Sequence, residues 1–126
     1  NISVIFQPVS TNAGMGHIVN DRLLVGSHSL SGEVQFMPLK LSKSRFELNK
    51  TVKGTIELLV HEVLLCIVTI APELVVICNS LLDLDKLKNE LIKYLPKDYC
   101  PKIVRIDYLQ DYCFIGSFIL AIRECN

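Results

Sequence analysis

The stretch from Thr51 to Ala71 constrains this chain most. Val52, Ile56, Leu59, Val60, Val63, Ile67 and Ile70 recur at spacings of three and four, which places them on one face of a helix. Most of the remaining positions are apolar too, so this helix is expected to be the most buried element. Pro72 stops it. Glu73 to Cys78 follows at once as a nearly continuous β-branched run, the pattern of a strand covered on both faces.

The other elements are placed around this pair. Ile2 to Phe6 is apolar and β-prone, and residues 7 to 14 form a turn. Gly16 to Val19 and Leu23 to Val25 are short strands joined through Asn20-Asp21, residue types that tolerate the positive φ of a tight hairpin. Gly26 to Gly32 is a small-residue loop, Glu33 to Leu39 is expected to be a further strand, and Leu41 to Asn49 a polar loop. Asp83 caps a helix running to Leu95 with a stripe of Leu84, Leu87, Leu91 and Leu95, and Pro96 ends it. Lys102 to Tyr108 is a strand, and Asp111 caps a last helix from Tyr112 to about Glu124.

Composition excludes several classes. With 126 residues, the chain makes one domain. Lys plus Arg and Asp plus Glu are equal at 13 each, so this segment lacks the basic excess of a nucleic-acid binder. The longest apolar stretch, Leu58 to Ala71, is interrupted by His61, Glu62 and Thr69 and is too short for a membrane span. No signal peptide is visible at the start. The five cysteines (Cys66, Cys78, Cys100, Cys113 and Cys125) form no C-x-x-C pair, so neither a zinc knuckle nor a thioredoxin-like site is expected. Cys66 and Cys78 read as buried small hydrophobes, and a reducing cytoplasm fits.

The element order is β-β-β-α-β-α-β-α. Hairpins make the first three strands antiparallel, and helical crossovers make the last two parallel to the first. The expected class is α/β with a mixed sheet and helices on both faces. This order resembles a ribonuclease-H-like lobe, two of which face each other in the actin-like fold shared with hexokinase and Hsp70.

Two stretches resemble the ROK family of repressors, open reading frames and sugar kinases. The first is Ser10-Thr11-Asn12-Ala13-Gly14-Met15-Gly16, the hairpin through Asn20, and Gly26 to Met37 with Gly32-Glu33 inside it. The second is Ala71-Pro72-Glu73-Leu74-Val75-Val76-Ile77-Cys78-Asn79, with Phe114-Ile115-Gly116-Ser117 near the end. The resemblance implies that residues 1–126 are a single carboxyl-terminal lobe. An upstream lobe would carry the catalytic Asp and first phosphate loop, and in regulators a winged-helix DNA-binding domain precedes it.

Within that resemblance, Thr11, Asn12, Gly14 and Gly16 correspond to a phosphate-facing turn, and Cys78, Asn79 and Gly116 to a nucleotide-facing strand and helix. Ser10 and Asn12 replace family glycines, and Cys78-Asn79 replaces a Gly-Gly pair. Side chains stand where backbone approach is wanted. An ordinary hairpin loop also accounts for the first turn. Gly32, Glu33 and His28 are the candidate sugar contacts, with Glu33 read either as an acceptor for sugar hydroxyls or as a solvated or capping residue. Phe36 occupies the family's His position, and residues 37 to 65 hold no cysteine, so the family zinc site is absent. No cofactor is expected.

The expected function is the sugar-sensing effector lobe of a ROK-type regulator that has lost its kinase features. The alternatives are the lobe of an active sugar kinase and an interaction or dimerisation module without ligand. A sugar or sugar phosphate and a second copy of the chain are the expected partners. His17, His28 and His61 are not expected to be catalytic, and no catalytic residue is assigned.

Overall fold

The computed structural model describes residues 1–9 and 12–125, with residues 114, 118, 120 and 124 described by their backbone alone. Five strands form one mixed sheet: β1 (Ile2–Phe6), β2 (Gly14–Val19), β3 (Arg22–Leu23), β4 (Leu74–Cys78) and β5 (Lys102–Ile106). Their spatial order is β3-β2-β1-β4-β5. β2 runs antiparallel to both β1 and β3, whereas β4 runs parallel to both β1 and β5. The helices are α1 (Arg45–Leu48), α2 (Val52–Ile70), α3 (Leu84–Leu91) and α4 (Leu109–Cys125).

Local chemistry explains most boundaries. Asn20 and Asp21 both take positive φ, 51° and 60°, and turn β2 into β3 as the hairpin reading expects. Thr51 Oγ1 accepts from the Gly54 N–H at 3.0 Å and starts α2. Ala71 closes it in the left-handed region at φ 48°, just before Pro72. Asp83 Oδ1 accepts from the Lys86 N–H at 3.1 Å and starts α3.

The core lies between the sheet and two helices. Ile56, Leu59, Val60, Val63 and Cys66 of α2 pack with Leu87 and Leu91 of α3 against Ile5, Val75, Ile77 and Ile103 of the sheet. Because side chains alternate along a strand, Ile2, Val4, Phe6, Leu74, Val76, Val104 and Ile106 point the other way, and they stay half-buried or exposed. Two crossovers of the same hand stepping from β1 to β4 to β5 set α2 and α3 down on one face, while Cys78, whose side chain points to the other face, is buried beside the start of α4 at Leu109. On α4, Tyr112, Ile115, Ile119 and Ile122 are 47 to 58% exposed. Among the described residues, no helix is long and apolar enough to cross a membrane.

Three expectations are corrected. Glu33 to Leu39 is no strand: Val34–Phe36 is a 3₁₀ turn, because the Arg45 guanidinium donates to the Val34 and Met37 carbonyls at 3.3 and 3.1 Å and holds the segment curled. The polar stretch before α2 contains α1, whose capping box pairs Ser44 with Glu47. Asp111 does not cap α4 but lies inside its first turn, since the helix begins at Leu109.

Candidate functional site

The parallel strands β1 and β4 are registered Phe6 to Cys78, so the residues that leave them, Gln7 and Asn79, are neighbours at the carboxyl end of the sheet. Loops gather there, and in parallel α/β sheets ligands bind there. The same end receives the start of β2, through Phe6 opposite Gly14, and the loop after β3.

A buried polar cluster fills this end. Asn79 Nδ2 donates to the Gln7 carbonyl at 2.7 Å, and Asn79 Oδ1 accepts from the Leu81 N–H at 2.8 Å. The side chain thereby ties two strand ends together and shapes the turn towards α3. The Gln7 side-chain amide lies between Asn49, at the end of α1, and Glu62 of α2. Glu62 is 1% exposed, and burial pushes its carboxyl up to about 8 against the opposing pull of the Arg45 guanidinium. Burial thus favours the protonated form of this carboxyl over the charged one. In the same layer Ser3 Oγ and His17 Nδ1 are 2.9 Å apart, and Cys66 Sγ lies 3.7 Å from Met15 Sδ. Burial lowers the His17 pKa and lifts the Cys66 thiol to about 11.

A second, exposed polar chain borders this cluster. Asn12 Nδ2 donates to Gln35 Oε1 at 2.9 Å, and Gln35 Nε2 donates to Glu33 Oε2 at 3.1 Å. Gly32 makes the join: its φ is +89°, and a Cβ there would overlap the Met15 carbonyl, while its own carbonyl accepts from the Met15 N–H at 3.2 Å. Only glycine serves both needs.

The sequence-derived candidates are thus split. Asn12, Gly32 and Glu33 come together through Gln35. Asn79 joins the buried cluster, and its amide is spent on the protein. Cys78 is buried beneath the start of α4, and its thiol is raised by that burial. Gly14 and Gly16 lie on the open face, and a Cβ at either would meet nothing within 4 Å; the same holds for Gly116 within α4. His28 is exposed and paired with its neighbour, Ser27 Oγ to Nδ1 at 2.8 Å. Thr11 and Ser10 lie outside the described residues.

Sequence reasoning missed Gln7, Gln35, Arg45 and Asn49. It treated Glu62 only as an interruption of an apolar stretch. The available signal was a lone carboxylate among Leu58, Leu59, Val63 and Cys66, positions that helical spacing assigns to the core. Replacing Asn79 by Ala leaves the Gln7 carbonyl and the Leu81 N–H without their partner. Urea unfolding is expected to show a loss of about 2 kcal/mol; unchanged stability would mean that Asn79 does not link the strand ends.

Two open grooves flank these features. One, of about 490 Å³, is lined by Arg105, Asp107, Tyr108, Asp111, Tyr112 and Ile115 at the carboxyl end of β5. The other, of about 750 Å³, runs between α2 and α3 past Lys53, His61, Lys86 and Tyr94. Comparison of the chain with protein-family models and with curated proteins gave no match.

Proposed function

We propose that this chain is a ribonuclease-H-like lobe of an actin-like protein, similar to the effector lobe of ROK-type regulators. In this reading it senses a sugar or sugar phosphate without transferring phosphate. The strand order β3-β2-β1-β4-β5, with β4 and β5 parallel to β1 and β2 opposed to it, supports the lobe assignment. The observation that carries the sensing role is the contrast between the two polar groups. Glu33, Gln35 and Asn12 form an exposed hydrogen-bonded chain on one edge, and the Glu33 carboxylate that ends it is an acceptor suited to sugar hydroxyls. Asn79, where a nucleotide would need bare backbone, is committed to Gln7 and Leu81. Five free thiols are compatible with a cytoplasmic setting.

The test is thermal denaturation of the chain with a panel of hexoses, amino sugars and sugar phosphates, and separately with MgATP. One sugar class is expected to raise the melting temperature saturably; at 100 times Kd the linkage amounts to about 2.7 kcal/mol. Glu33→Gln should weaken that shift at least tenfold in concentration, and MgATP should produce none. A flat response to every sugar, or phosphate release from ATP, would overturn the reading.

A second reading, an interaction module without a small ligand, is favoured by the exposed apolar residues of α4 and the half-open second face of the sheet. Light scattering across a hundredfold concentration range separates the two. Self-association indifferent to sugar supports the module.

A further inference from the structure

The groove between α2 and α3 shares no residue with either polar group described above. Its volume of about 750 Å³ lies within the range of small-ligand sites. Val52, Ile56 and Val60 recur every fourth residue, so they form one row along α2, and this row is the apolar floor. Ile56 and Val60 are 7 and 6% exposed, and Val52 is 37% exposed. Each helix leads into the parallel strand that follows it, α2 into β4 and α3 into β5, so the two helices point the same way. Lys53 and Lys86, near their starts, therefore mark one end of the groove, and His61 and Tyr94 mark the other.

The polar groups along the walls are unevenly committed. Glu57 is turned to Ser42, whose N–H and hydroxyl donate to its two oxygens at 2.7 and 2.6 Å. Glu90 Oε1 accepts from Lys93 Nζ at 2.6 Å. Both carboxylates thus already hold protein donors. Lys86 Nζ lies 3.2 Å from Asp83 Oδ2 and keeps further N–H groups to give. Among the described residues, the side chains of Lys53, His61, Asn89 and Tyr94 make no hydrogen bond. What the groove has left to offer is donors and, at the lysine end, positive charge above a hydrocarbon floor. Glu57 carries its charge midway along the α2 wall, which disfavours an anion there and leaves the lysine end as its place.

We propose that this groove binds an amphipathic monocarboxylate, with its carboxylate between Lys53 and Lys86 and its hydrocarbon chain laid over Ile56 and Val60 towards Tyr94. The head gains charge-assisted hydrogen bonds at an exposed mouth. The chain leaves water for the floor, the lysine stems and the tyrosine ring. An extended chain fits because the row is linear: Val52 to Val60 spans about 12 Å of helix. The site stands whether or not the Glu33 edge binds a sugar.

The test is methyl nuclear magnetic resonance of the whole chain, titrated with decanoate below its micelle concentration. The Val52, Ile56 and Val60 methyls are expected to shift together and saturably. Affinity should rise about threefold per methylene from hexanoate to decanoate. Lys53→Gln combined with Lys86→Gln should weaken binding about tenfold; both lysines are exposed. Decyltrimethylammonium, with the same chain and the opposite charge, should leave the three methyls unmoved. Methyls indifferent to decanoate would overturn the site, as would an equal response to the cation, an affinity flat with chain length, or unchanged affinity in the double variant. Shifts confined to Ile115, Ile119 and Ile122 would mark adsorption on α4 and overturn it too. So would broadening of the groove methyls with protein concentration alone, which would show a second copy covering them. The comparison of decanoate with the cation uses the unsubstituted chain, so the outcome does not hang on how the variant folds.

Discussion

Glu62→Gln is expected to stabilise the protein at pH 9 by several kcal/mol, with little gain at pH 5. The Glu62 carboxyl titrates near 8 when folded and near its ordinary 4.5 when unfolded. Between those values the folded chain holds a proton that the unfolded chain has released. Stability from this group is thus complete below pH 4.5, falls as pH rises at about 1.4 kcal/mol per pH unit, and is gone above 8. Glutamine keeps the shape and the hydrogen-bonding reach but has nothing to ionise, so the slope disappears. The burial-lowered His17 acts in the opposite sense and below pH 6.5, where its stabilisation is lost as pH falls. Urea unfolding of both proteins at pH 6.5, 7.5 and 9 therefore isolates Glu62. Parallel stability profiles for the two would show that Glu62 is not a buried, neutral acid.

The proximity of Glu62 to Gln7 and Asn49 shows where single-sequence reasoning loses its grip. The apolar stripe of α2, the stop at Pro72 and the β-branched run after it are local patterns with one physical interpretation. The positive φ of Asn20 and Asp21 is equally local. From these the strand directions followed. The segment after Gly32 misled because Val34 and Phe36 alternate as a strand would. What curls it is the Arg45 side chain, arriving from a helix that the polar composition of residues 41 to 49 concealed. The Ser44 to Glu47 spacing was the overlooked local sign.

The cluster itself has no sequence pattern. A glutamine just past a strand, an asparagine after a four-residue helix and a glutamate on an apolar stripe meet only because β1 and α2 pack face to face. On the other edge, Asn12 and Glu33 were readable from the family resemblance. Gln35, which joins them, was not, since a polar residue between two apolar ones looks like the solvent side of a strand. The β-branched run of β4 was legible as a strand covered on both faces: Val75, Ile77 and Cys78 are buried, and Leu74 and Val76 are half-buried.

The glycines supply the second large effect. Intrinsic helix propensity favours alanine over glycine, by about 1 kcal/mol in a helix interior, so Gly54 in the first turn of α2 and Gly116 inside α4 should both gain from alanine if propensity ruled. The surroundings separate them. A Cβ on Gly54 would overlap the Leu48 carbonyl oxygen and lie 2.6 Å from Leu48 Cα and 2.7 Å from its carbonyl carbon. These are backbone atoms at the end of α1, and they cannot swing aside as a side chain would. Gly54→Ala therefore pushes α1 off α2 and draws Asn49 away from Gln7. The expected net loss is about 3 kcal/mol, since overpacking and a broken buried hydrogen bond together outweigh propensity. Gly116→Ala meets open space, so propensity acts unopposed and a gain of about 0.5 to 1 kcal/mol follows. Both are read by urea unfolding at constant pH. A Gly54→Ala protein as stable as the parent would mean that α1 does not rest on α2. A Gly116→Ala protein without gain would mean that α4 does not hold its helix at that turn.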